Sequence, residues 1–406
     1  MNPMPLEKTP QPVSAGRVAE LADQCVQCGL CLPVCPTYAL DRNEAESPRG
    51  RIAIAAALAR GQVDPTAELR ASLDHCLGCL NCETVCPAHV RYAELLIQTR
   101  GLLGPSPRRP RRLLRLLTQP RRLRTLRRIA RGLGLARWKR PLARWLPARS
   151  AWQAALLTLP GGAVAPRPDA GPARPGQPLL ALFPGCVASV EDAEAQQAAV
   201  TLLQAAGFGI TVLPAFCCGA MDLHGGAAVA AERAARRVRQ AWAGSGAEQL
   251  ISVTPGCLGS LRRALPGVRV LDPIELLAGR AADLHFRPLA QRVALHLPCT
   301  QTNVAGTDTA LVQLLKRIPA LDVSRVPRPP HCCGAAGSHL LEFPERAAQL
   351  RDAALRQVAT LAPQLLLSSN IGCRLHLAAG MDTQGLALPT MHPLSLLARQ
   401  LQQENP

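Results

Sequence analysis

Residues 25–36 read Cys25-Val-Gln-Cys28-Gly-Leu-Cys31-Leu-Pro-Val-Cys35-Pro36, and residues 76–87 read Cys76-Leu-Gly-Cys79-Leu-Asn-Cys82-Glu-Thr-Val-Cys86-Pro87. Both stretches have the spacing C-x2-C-x2-C-x3-C-P without deviation. Where two such runs occur, the first three cysteines of each bind one [4Fe-4S] cluster and the cysteine before proline binds the other. We therefore predict two clusters, one held by Cys25, Cys28, Cys31 and Cys86 and the other by Cys76, Cys79, Cys82 and Cys35.

Zinc ligation and disulfide bonding are the alternative uses of closely spaced cysteines. Structural zinc takes four tetrahedral ligands, commonly from two separated C-x2-C pairs. Each run here adds a third cysteine at the same spacing and a fourth before proline. His75 and His89 flank the second run. We expect them beside a cluster or at the surface, because the eight cysteines already fill every ligand position.

The compartment expected for the chain also argues against disulfides. Residues 1–24 contain no apolar run of the length found in secretory signals, and nowhere do 18 consecutive apolar residues occur. We therefore expect a cytoplasmic protein without a transmembrane helix, in a reducing compartment where disulfides are rare. Metal ligation is then the main use expected for sixteen cysteines.

The other eight cysteines belong to an internal repeat. Its first copy contains Cys186, Cys217, Cys218 and Cys257, and its second copy, about 115 residues later, contains Cys299, Cys332, Cys333 and Cys373. In each copy, short apolar runs end near a cysteine and alternate with Ala-rich stretches typical of helices, such as residues 190–206 and 227–242. This alternation predicts an α/β unit with a parallel sheet, whose cysteines converge at the carboxyl ends of the strands.

These patterns predict an α+β multidomain protein, with a mainly helical two-cluster domain followed by two duplicated α/β units. We call the duplicated units Cys-Cys-Gly units, after Cys217-Cys218-Gly219 and Cys332-Cys333-Gly334. The length of 406 residues and the apolar content of 48% suffice for several domains with their own cores. The expected parts are a two-cluster domain (1–104), a basic helical segment (105–159), a Pro/Gly-rich linker (160–178) and two Cys-Cys-Gly units (179–290 and 291–406).

The predicted clusters imply electron transfer. A cluster bound by four thiolates has no open coordination position and passes one electron at a time. The chain contains no G-x-G-x-x-G stretch after a predicted strand, no P-loop and no nucleophile elbow. We therefore expect the flavin or nicotinamide chemistry, and the substrate site, to lie on a partner subunit.

Four further stretches carry a resemblance to a known family. They are Ser47-Pro-Arg-Gly-Arg51-Ile52, Val90-Arg-Tyr92, His331-Cys-Cys-Gly-Ala-Ala-Gly337 and Ser369-Asn-Ile-Gly-Cys373-Arg-Leu-His376. Together with the two cysteine runs, they resemble the iron-sulfur subunits of glycolate oxidase, more properly called glycolate dehydrogenase. Related subunits occur in lactate utilisation, anaerobic glycerol-3-phosphate dehydrogenase and heterodisulfide reductase.

The resemblance implies an oxidoreductase that acts on CH-OH donors, with this chain as its electron-transfer subunit. FAD-binding dehydrogenase subunits would oxidise glycolate or another 2-hydroxy acid, and the clusters would carry the electrons to a quinone or another acceptor. One alternative is the matching subunit of a lactate or glycerol-3-phosphate dehydrogenase. Two others are a catalytic subunit like that of heterodisulfide reductase and an assembly scaffold with structural clusters.

The Cys-Cys-Gly units depart in one respect from the cluster-binding form of heterodisulfide reductase. That form ends in C-x2-C, but here Ser260 follows Cys257 and His376 follows Cys373 at this spacing. The eight cysteines of the repeat are therefore candidates for a further metal or cluster, with His376 as a substitute ligand. The alternative is that they are ordinary buried thiols of a scaffold that docks partner subunits.

The net charge of +18 is concentrated in one segment. Residues 101–150 contain fifteen arginines, Lys139 and no acidic residue. Leucines interleave with these arginines at near-helical spacing, and Trp138, Trp145 and Trp152 follow seven residues apart. The alternatives are helices whose apolar face packs on the C-terminal units or docks a partner, and helices that lie on anionic lipid at the cytoplasmic face of the inner membrane. Nucleic acid is not expected, because no recognition motif accompanies the charge.

Overall fold

The computed structural model describes residues 13–329 and 332–402 of the chain. His331, which belongs to one of the stretches that resemble the family, lies outside the described residues. Helices form the N-terminal part, and two parallel sheets with their helices form the C-terminal part. The predicted fold class is confirmed.

The two-cluster domain is a small group of helices around the two cysteine runs. Its helices are α1 (Ala15–Ala22), α2 (Pro36–Asp41), α3 (Pro48–Ala59), α4 (Ala67–Asp74), α5 (Asn81–Thr84) and α6 (Tyr92–Leu103). The hydroxyls of Ser14 and Ser47 begin α1 and α3 by accepting hydrogen bonds from backbone amides of the first turns. Apolar side chains such as Val18, Ile52 and Leu95 form the core, and cysteines of both runs pack against it.

The basic segment is helical, and one apolar side of it is buried. Its helices are α7 (Arg111–Leu117), α8 (Pro120–Gly132), α9 (Leu135–Ala143) and α10 (Ala151–Leu157). Leu113 packs with Met221 of the first Cys-Cys-Gly unit and Leu341 of the second. The buried guanidinium of Arg127 pairs with Glu191 at 2.6 Å. The segment is therefore attached to the C-terminal units, as the packing alternative requires.

A second apolar side of the basic segment faces solvent. Its exposed side chains are Leu126, Ile129, Leu133, Trp138, Leu142, Trp145 and Trp152. Trp145 is 88% exposed. Twelve of the arginines are exposed in the same segment: Arg108, Arg111, Arg112, Arg115, Arg121, Arg122, Arg128, Arg131, Arg137, Arg140, Arg144 and Arg149. No helix in the described part of the chain is long and apolar enough to span a bilayer.

The first Cys-Cys-Gly unit contains a four-stranded parallel sheet. Its strands are β1 (Leu179–Leu182), β2 (Gly209–Val212), β3 (Gln249–Ile251) and β4 (Val270–Leu271), in the order β2-β1-β3-β4. Its helices are α11 (Ala188–Glu191), α12 (Ala193–Ala205), α13 (Ala220–His224), α14 (Ala228–Ala243), α15 (Pro255–Ala264) and α16 (Pro273–Gly279). The helix predicted over residues 190–206 is broken at Asp192, where the chain forms a buried ion pair with Arg374 of the other unit.

The second unit has the same topology. Its strands are β5 (Gln291–His296), β6 (Leu321–Arg325), β7 (Leu365–Ser368) and β8 (Thr390–Met391), in the order β6-β5-β7-β8. Its helices are α17 (Asp308–Lys316), α18 (His339–Glu342), α19 (Pro344–Thr360), α20 (Ile371–Gln384) and α21 (Pro393–Gln400), and a π-helical turn, Gln301–Ala305, precedes α17. The equal order and the parallel pairing show two copies of one unit, as the repeated cysteines predict.

The two units share one hydrophobic core. Helix α12 packs against α21, and α16 packs against α17, so the two copies meet through corresponding elements. Apolar side chains of both sheets, among them Leu182 and Leu295, belong to the same cluster of buried residues. Because burial of apolar surface is the main favourable contribution to association, this shared core joins the two sheets firmly.

Each Cys-Cys-Gly turn requires its glycine. Gly219 and Gly334 have φ angles of +85° and +84°. A Cβ atom at Gly219 would lie 2.8 Å from the Cβ atom of Ala234, and one at Gly334 would lie 2.7 Å from the carbonyl oxygen of Ala347. The amide of each glycine also lies 3.4 Å from the sulfur of the first cysteine in its motif and donates to it. The same turn therefore positions the cysteine pair in both copies.

Candidate iron-sulfur centre

The first cysteine run forms a loop between α1 and α2 that encloses a cavity. The lining includes Cys25, Cys28 and Cys31, together with Cys86 of the second run. Gly29, with φ at +85°, gives the backbone the left-handed turn that carries it around this cavity. Three predicted ligands thus come from one loop, and the fourth comes from the other run.

The cysteines predicted for the second cluster also lie together. Burial, and then the negative charge of Cys79, Cys76 and Cys35, raises the pKa of the Cys82 thiol well above its usual range. Burial likewise raises the pKa of Cys79, with smaller contributions that include Cys76 and Cys35. Cys82 also lines the first cavity, so the two sets of cysteines are adjacent.

The donor set fits iron-sulfur clusters. In a cluster, the thiolates bind several irons and stand around a space of the kind that the first run encloses. Four sulfur donors also suit iron-sulfur chemistry, because thiolate is a soft ligand.

Arg51 places a buried positive charge beside the second set of cysteines. Its side chain is 1% exposed. The guanidinium donates to the carbonyl oxygen of Ser72 at 2.6 Å and to the hydroxyl of Thr37 at 2.9 Å, and it pairs with Glu46 at 2.6 Å. Burial alone would lower the pKa of Arg51, but the negative charge of Cys76 and other neighbours raises it overall. A buried charge of this kind needs such partners to be tolerated.

Arg100 and Tyr92, both in α6, act on the same thiol. Arg100 donates to the carbonyl oxygens of Cys76 at 2.8 Å and of His224 at 2.8 Å. Burial would raise the pKa of Cys76, but the guanidinium groups of Arg51 and Arg100 outweigh it and lower the pKa. The Tyr92 hydroxyl lies 3.5 Å from Cys76 Sγ. Since burial raises the pKa of Tyr92 well above its usual range, the phenol stays protonated and can donate to this sulfur.

The second Cys-Cys-Gly unit covers the second set of cysteines. Asn303, in the π-helical turn after β5, donates from Nδ2 to the carbonyl oxygen of Cys79 at 2.6 Å. His75 lies edge-on to the Phe343 ring, with 4.7 Å between ring centroids, and its Nδ1 is 2.6 Å from a Glu46 carboxylate oxygen. His75 therefore lies at the junction of the two-cluster domain with this unit, whereas His89 is exposed.

Each Cys-Cys-Gly unit contains a row of four thiols, in which each thiol lies close enough to the next to shift its pKa. The rows are Cys186, Cys217, Cys218 and Cys257 in the first unit and Cys299, Cys332, Cys333 and Cys373 in the second. Hydrogen bonds from Cys186 and Cys218 lower the pKa of Cys217 well below its usual value. In the second row, a hydrogen bond to Cys332 and burial raise the pKa of Cys299.

The two thiol rows differ in their surroundings. In the second unit, Cys299 and Cys332 pack in one apolar cluster with Cys79 of the two-cluster domain. Cys218 and Cys257 of the first unit pack in a different apolar cluster, which is formed mostly by their own unit and includes Val304 of the second unit. The duplicated units have therefore diverged, because the second row is in contact with a predicted cluster ligand.

The last cysteine of each row lies in the first turn of a helix, α15 or α20, rather than at a strand end. Ser260 and His376, which replace the missing cysteines, are both buried. Burial lowers the pKa of His376 to about 4, so the ring is neutral, and its Nε2 lies 3.0 Å from the carbonyl oxygen of Ala347. This nitrogen is occupied by a backbone hydrogen bond.

The sequence did not identify Arg51, Arg100, Tyr92 or Asn303 as neighbours of the second cysteine set. Arg51 and Tyr92 lie in stretches that resemble the family. For Arg51, the hint in the sequence is that an arginine occurs inside an otherwise apolar helix. Arg100 and Asn303 carried no signal, because the fold brings them to the cysteines from distant positions.

An iron-sulfur cluster held by four thiolates has no open position for a substrate and suits the passage of electrons. The fold and the site therefore define an iron-sulfur protein of electron transfer.

Known proteins of this class match the chain along nearly its whole length. Residues 21–90 match the 4Fe-4S dicluster domain, and residues 180–262 and 293–378 each match the Cysteine-rich domain. The glycolate oxidase iron-sulfur subunit of Escherichia coli (strain K12) is 31% identical over 88% of this chain and 90% of its own. The probable glycolate oxidase iron-sulfur subunit of Bacillus subtilis (strain 168) is 29% identical over 89% and 90%. The chain belongs to the family of glycolate oxidase iron-sulfur subunits.

A solved structure also shares the fold. A hypothetical protein from Helicobacter pylori superimposes with a TM-score of 0.52 over 96% of this chain and 72% of its own, at 11% identity. Family membership confirms the resemblance drawn from the sequence, and it makes this chain an electron-transfer subunit of an oxidoreductase.

The hydrogen bond from Tyr92 to Cys76 can be tested by Tyr92→Phe. Hydrogen bonds to cluster sulfurs stabilise the more negative, reduced state, so we expect the reduction potential of one cluster to fall by a few tens of millivolts, equivalent to about 1 kcal/mol. Redox titration followed by EPR measures the change. The matched control is Tyr38→Phe, at the chain's other tyrosine, which leaves both potentials unchanged. An unaltered potential in Tyr92→Phe contradicts the assigned contact.

Proposed function

We propose that this chain is the electron-transfer subunit of a glycolate dehydrogenase, in which FAD on partner subunits oxidises glycolate to glyoxylate. The observation that carries the proposal is the meeting of the two cysteine runs, where Cys86 joins one set and Cys35 joins the other. Glycolate is favoured over lactate and glycerol 3-phosphate, because the relatives that match 88% and 89% of this chain are named for glycolate oxidase. We also propose the domain boundaries that the sequence predicts.

The proposal assigns a ligand set to each of two [4Fe-4S] clusters. Cys25, Cys28, Cys31 and Cys86 hold the first cluster, and Cys76, Cys79, Cys82 and Cys35 hold the second. The clusters supply storage and passage of single electrons. Arg51 and Arg100 offset the negative charge on the second ligand set, and Asn303 fixes the backbone at one of its ligands.

The two thiol rows hold no further cluster in this proposal. Each row lacks its last cysteine, and the His376 nitrogen Nε2 is already bonded to the backbone. The alternative is a metal or cluster in these rows, with thiol-disulfide chemistry like that of heterodisulfide reductase. The contact of Cys79 with Cys299 and Cys332 favours that alternative, and the iron content of the chain separates the two.

We further propose that the basic segment lies on an anionic membrane surface at the cytoplasmic face, where a quinone or another acceptor takes the electrons. The exposed arginines provide the positive charge, and Trp138 and Trp145 are the kind of side chain favoured at the lipid interface. The buried side of the segment, including Leu113, attaches it to the Cys-Cys-Gly units. Packing and membrane contact thus use opposite sides of the same helices.

Anaerobic reduction by substrate tests the function. The chain is purified with the flavoprotein that accompanies it, and glycolate is added. We expect glycolate to bleach the iron-sulfur absorbance of the complex, and the isolated chain to be bleached by dithionite alone, because the substrate site lies on the partner. Bleaching by lactate or glycerol 3-phosphate but not by glycolate supports the alternative dehydrogenases. Clusters that dithionite reduces but no 2-hydroxy acid reduces would refute electron transfer from such substrates.

Flotation with vesicles tests the membrane contact. We expect the protein to float with vesicles rich in phosphatidylglycerol at low salt and to dissociate at about 0.5 M salt, because charge attraction is then screened. The double variant Trp138→Ser/Trp145→Ser should lose at least about tenfold in binding, since interfacial anchoring depends on buried apolar area. Val229→Ser removes an exposed apolar side chain elsewhere and serves as the control. Equal flotation of the double variant and the Val229→Ser control, or no flotation of the wild type, rules out the basic segment as a membrane-binding surface.

A further inference from the structure

The first cysteine set reaches the surface at one place. Of the sixteen cysteines, all of which lie in the described part of the chain, Cys28 is the only exposed one. Large apolar side chains surround it: Val26 is 69% exposed and Leu30 is 56% exposed. Both side chains line the cavity of the first cysteine set together with Cys28. We call Val26 and Leu30 the apolar collar of the first cysteine set.

The collar carries no charge. Residues 24–40 contain no Asp, Glu, Lys or Arg, and neither do residues 84–90. The charged side chains that flank it are paired with each other, as in Asp23 with Arg60 and Arg49 with Glu44. An uncharged apolar centre with a polar surround is the arrangement of a protein-protein interface. Exposed apolar side chains grouped around one site also mark a binding surface more often than scattered ones do.

We propose that the apolar collar is the docking surface for the flavin-binding dehydrogenase subunit, so that electrons enter the chain at the first cluster. This inference rests on the proposed function. Electron transfer between proteins falls off steeply with distance, and Cys28 is the point where a partner comes nearest to a cluster ligand. An uncharged collar excludes water from that contact without the cost of burying an unpaired charge.

The second cluster is the less suitable point for docking. Its ligands lie under the second Cys-Cys-Gly unit, with Asn303 bonded to the backbone of Cys79 and with Cys299 and Cys332 packed against that residue. Cys82 belongs to the second set and also lines the cavity of the first. The second cysteine set is therefore adjacent to the cluster at which the electron enters.

Electron transfer from the partner's flavin to this chain needs no further reactant. The reduced flavin of the partner is oxidised and releases two electrons one at a time, and its protons pass to water. The first ligand set would hold the cluster that accepts each electron, and the second ligand set would hold the cluster that takes it next, so that the first cluster would end in its oxidised state. The quinone or other acceptor of the proposed function finally takes both electrons.

A charge placed in the collar tests the docking surface. In the reconstituted complex, the rate of bleaching after glycolate is measured by stopped flow for the wild type and for the double variant Val26→Asp/Leu30→Asp. We expect at least about a tenfold slower reduction at limiting flavin subunit, with the dithionite-reducible absorbance unchanged. The control is Val229→Asp, at a valine in α14 that is 74% exposed, and it retains the wild-type rate. Equal rates for the double variant and the wild type overturn the proposal.

Crosslinking provides a second measurement should the aspartates disturb the cluster loop. A photoreactive amino acid is introduced at Val26 or at Val229, and the complex is irradiated. We expect a covalent product with the flavin subunit from position 26 and none from position 229; the reverse result contradicts the docking surface. If glycolate fails to reduce even the wild-type complex, the proposed function has failed, whereas a crosslink at position 26 reports on docking alone.

Discussion

Cys35 lies with the first three cysteines of the second run, and Cys86 lies with the first three cysteines of the first run. This exchange requires two segments about forty residues apart in sequence to lie face to face. The core formed by α1, α3 and α6 holds them in that position, and cysteines of both runs are packed against it. If either segment shifted, both predicted ligand sets would be incomplete, so we expect the domain to function as a unit.

Buried charge connects this domain to the rest of the chain. Glu46 pairs with Arg51 inside the two-cluster domain and, at 3.2 Å, with Arg346 of the second Cys-Cys-Gly unit. A carboxylate removed from water needs such partners, because losing one of them would leave an uncompensated charge. Together with Asn303, this network fixes the second unit over the second cysteine set. The first unit shares the same fold, but its thiols Cys218 and Cys257 pack in a cluster that contains no predicted cluster ligand, so duplication has been followed by a division of roles.

Spacing alone predicts much of this structure. The two runs predict the ligand sets, and the offset between the repeated cysteines predicts two sheet units, because ligand geometry and strand periodicity are local properties. Contacts such as Asn303 with Cys79 join residues more than two hundred positions apart, and they follow from docking that no local pattern encodes. The basic segment shows the same limit. Periodicity predicts its helices, but only packing shows that Leu113 is buried while Trp145 is exposed.

In the proposed function, the sixteen cysteines divide into eight cluster ligands and eight thiols without a cluster. Iron and acid-labile sulfide analysis of the anaerobically purified chain tests this division most directly. We expect about eight irons and eight sulfides per chain, as two [4Fe-4S] clusters require. About four of each would show that the crossed ligand sets hold one cluster, and about twelve would place a third cluster in a thiol row. Either result would contradict this division of the cysteines.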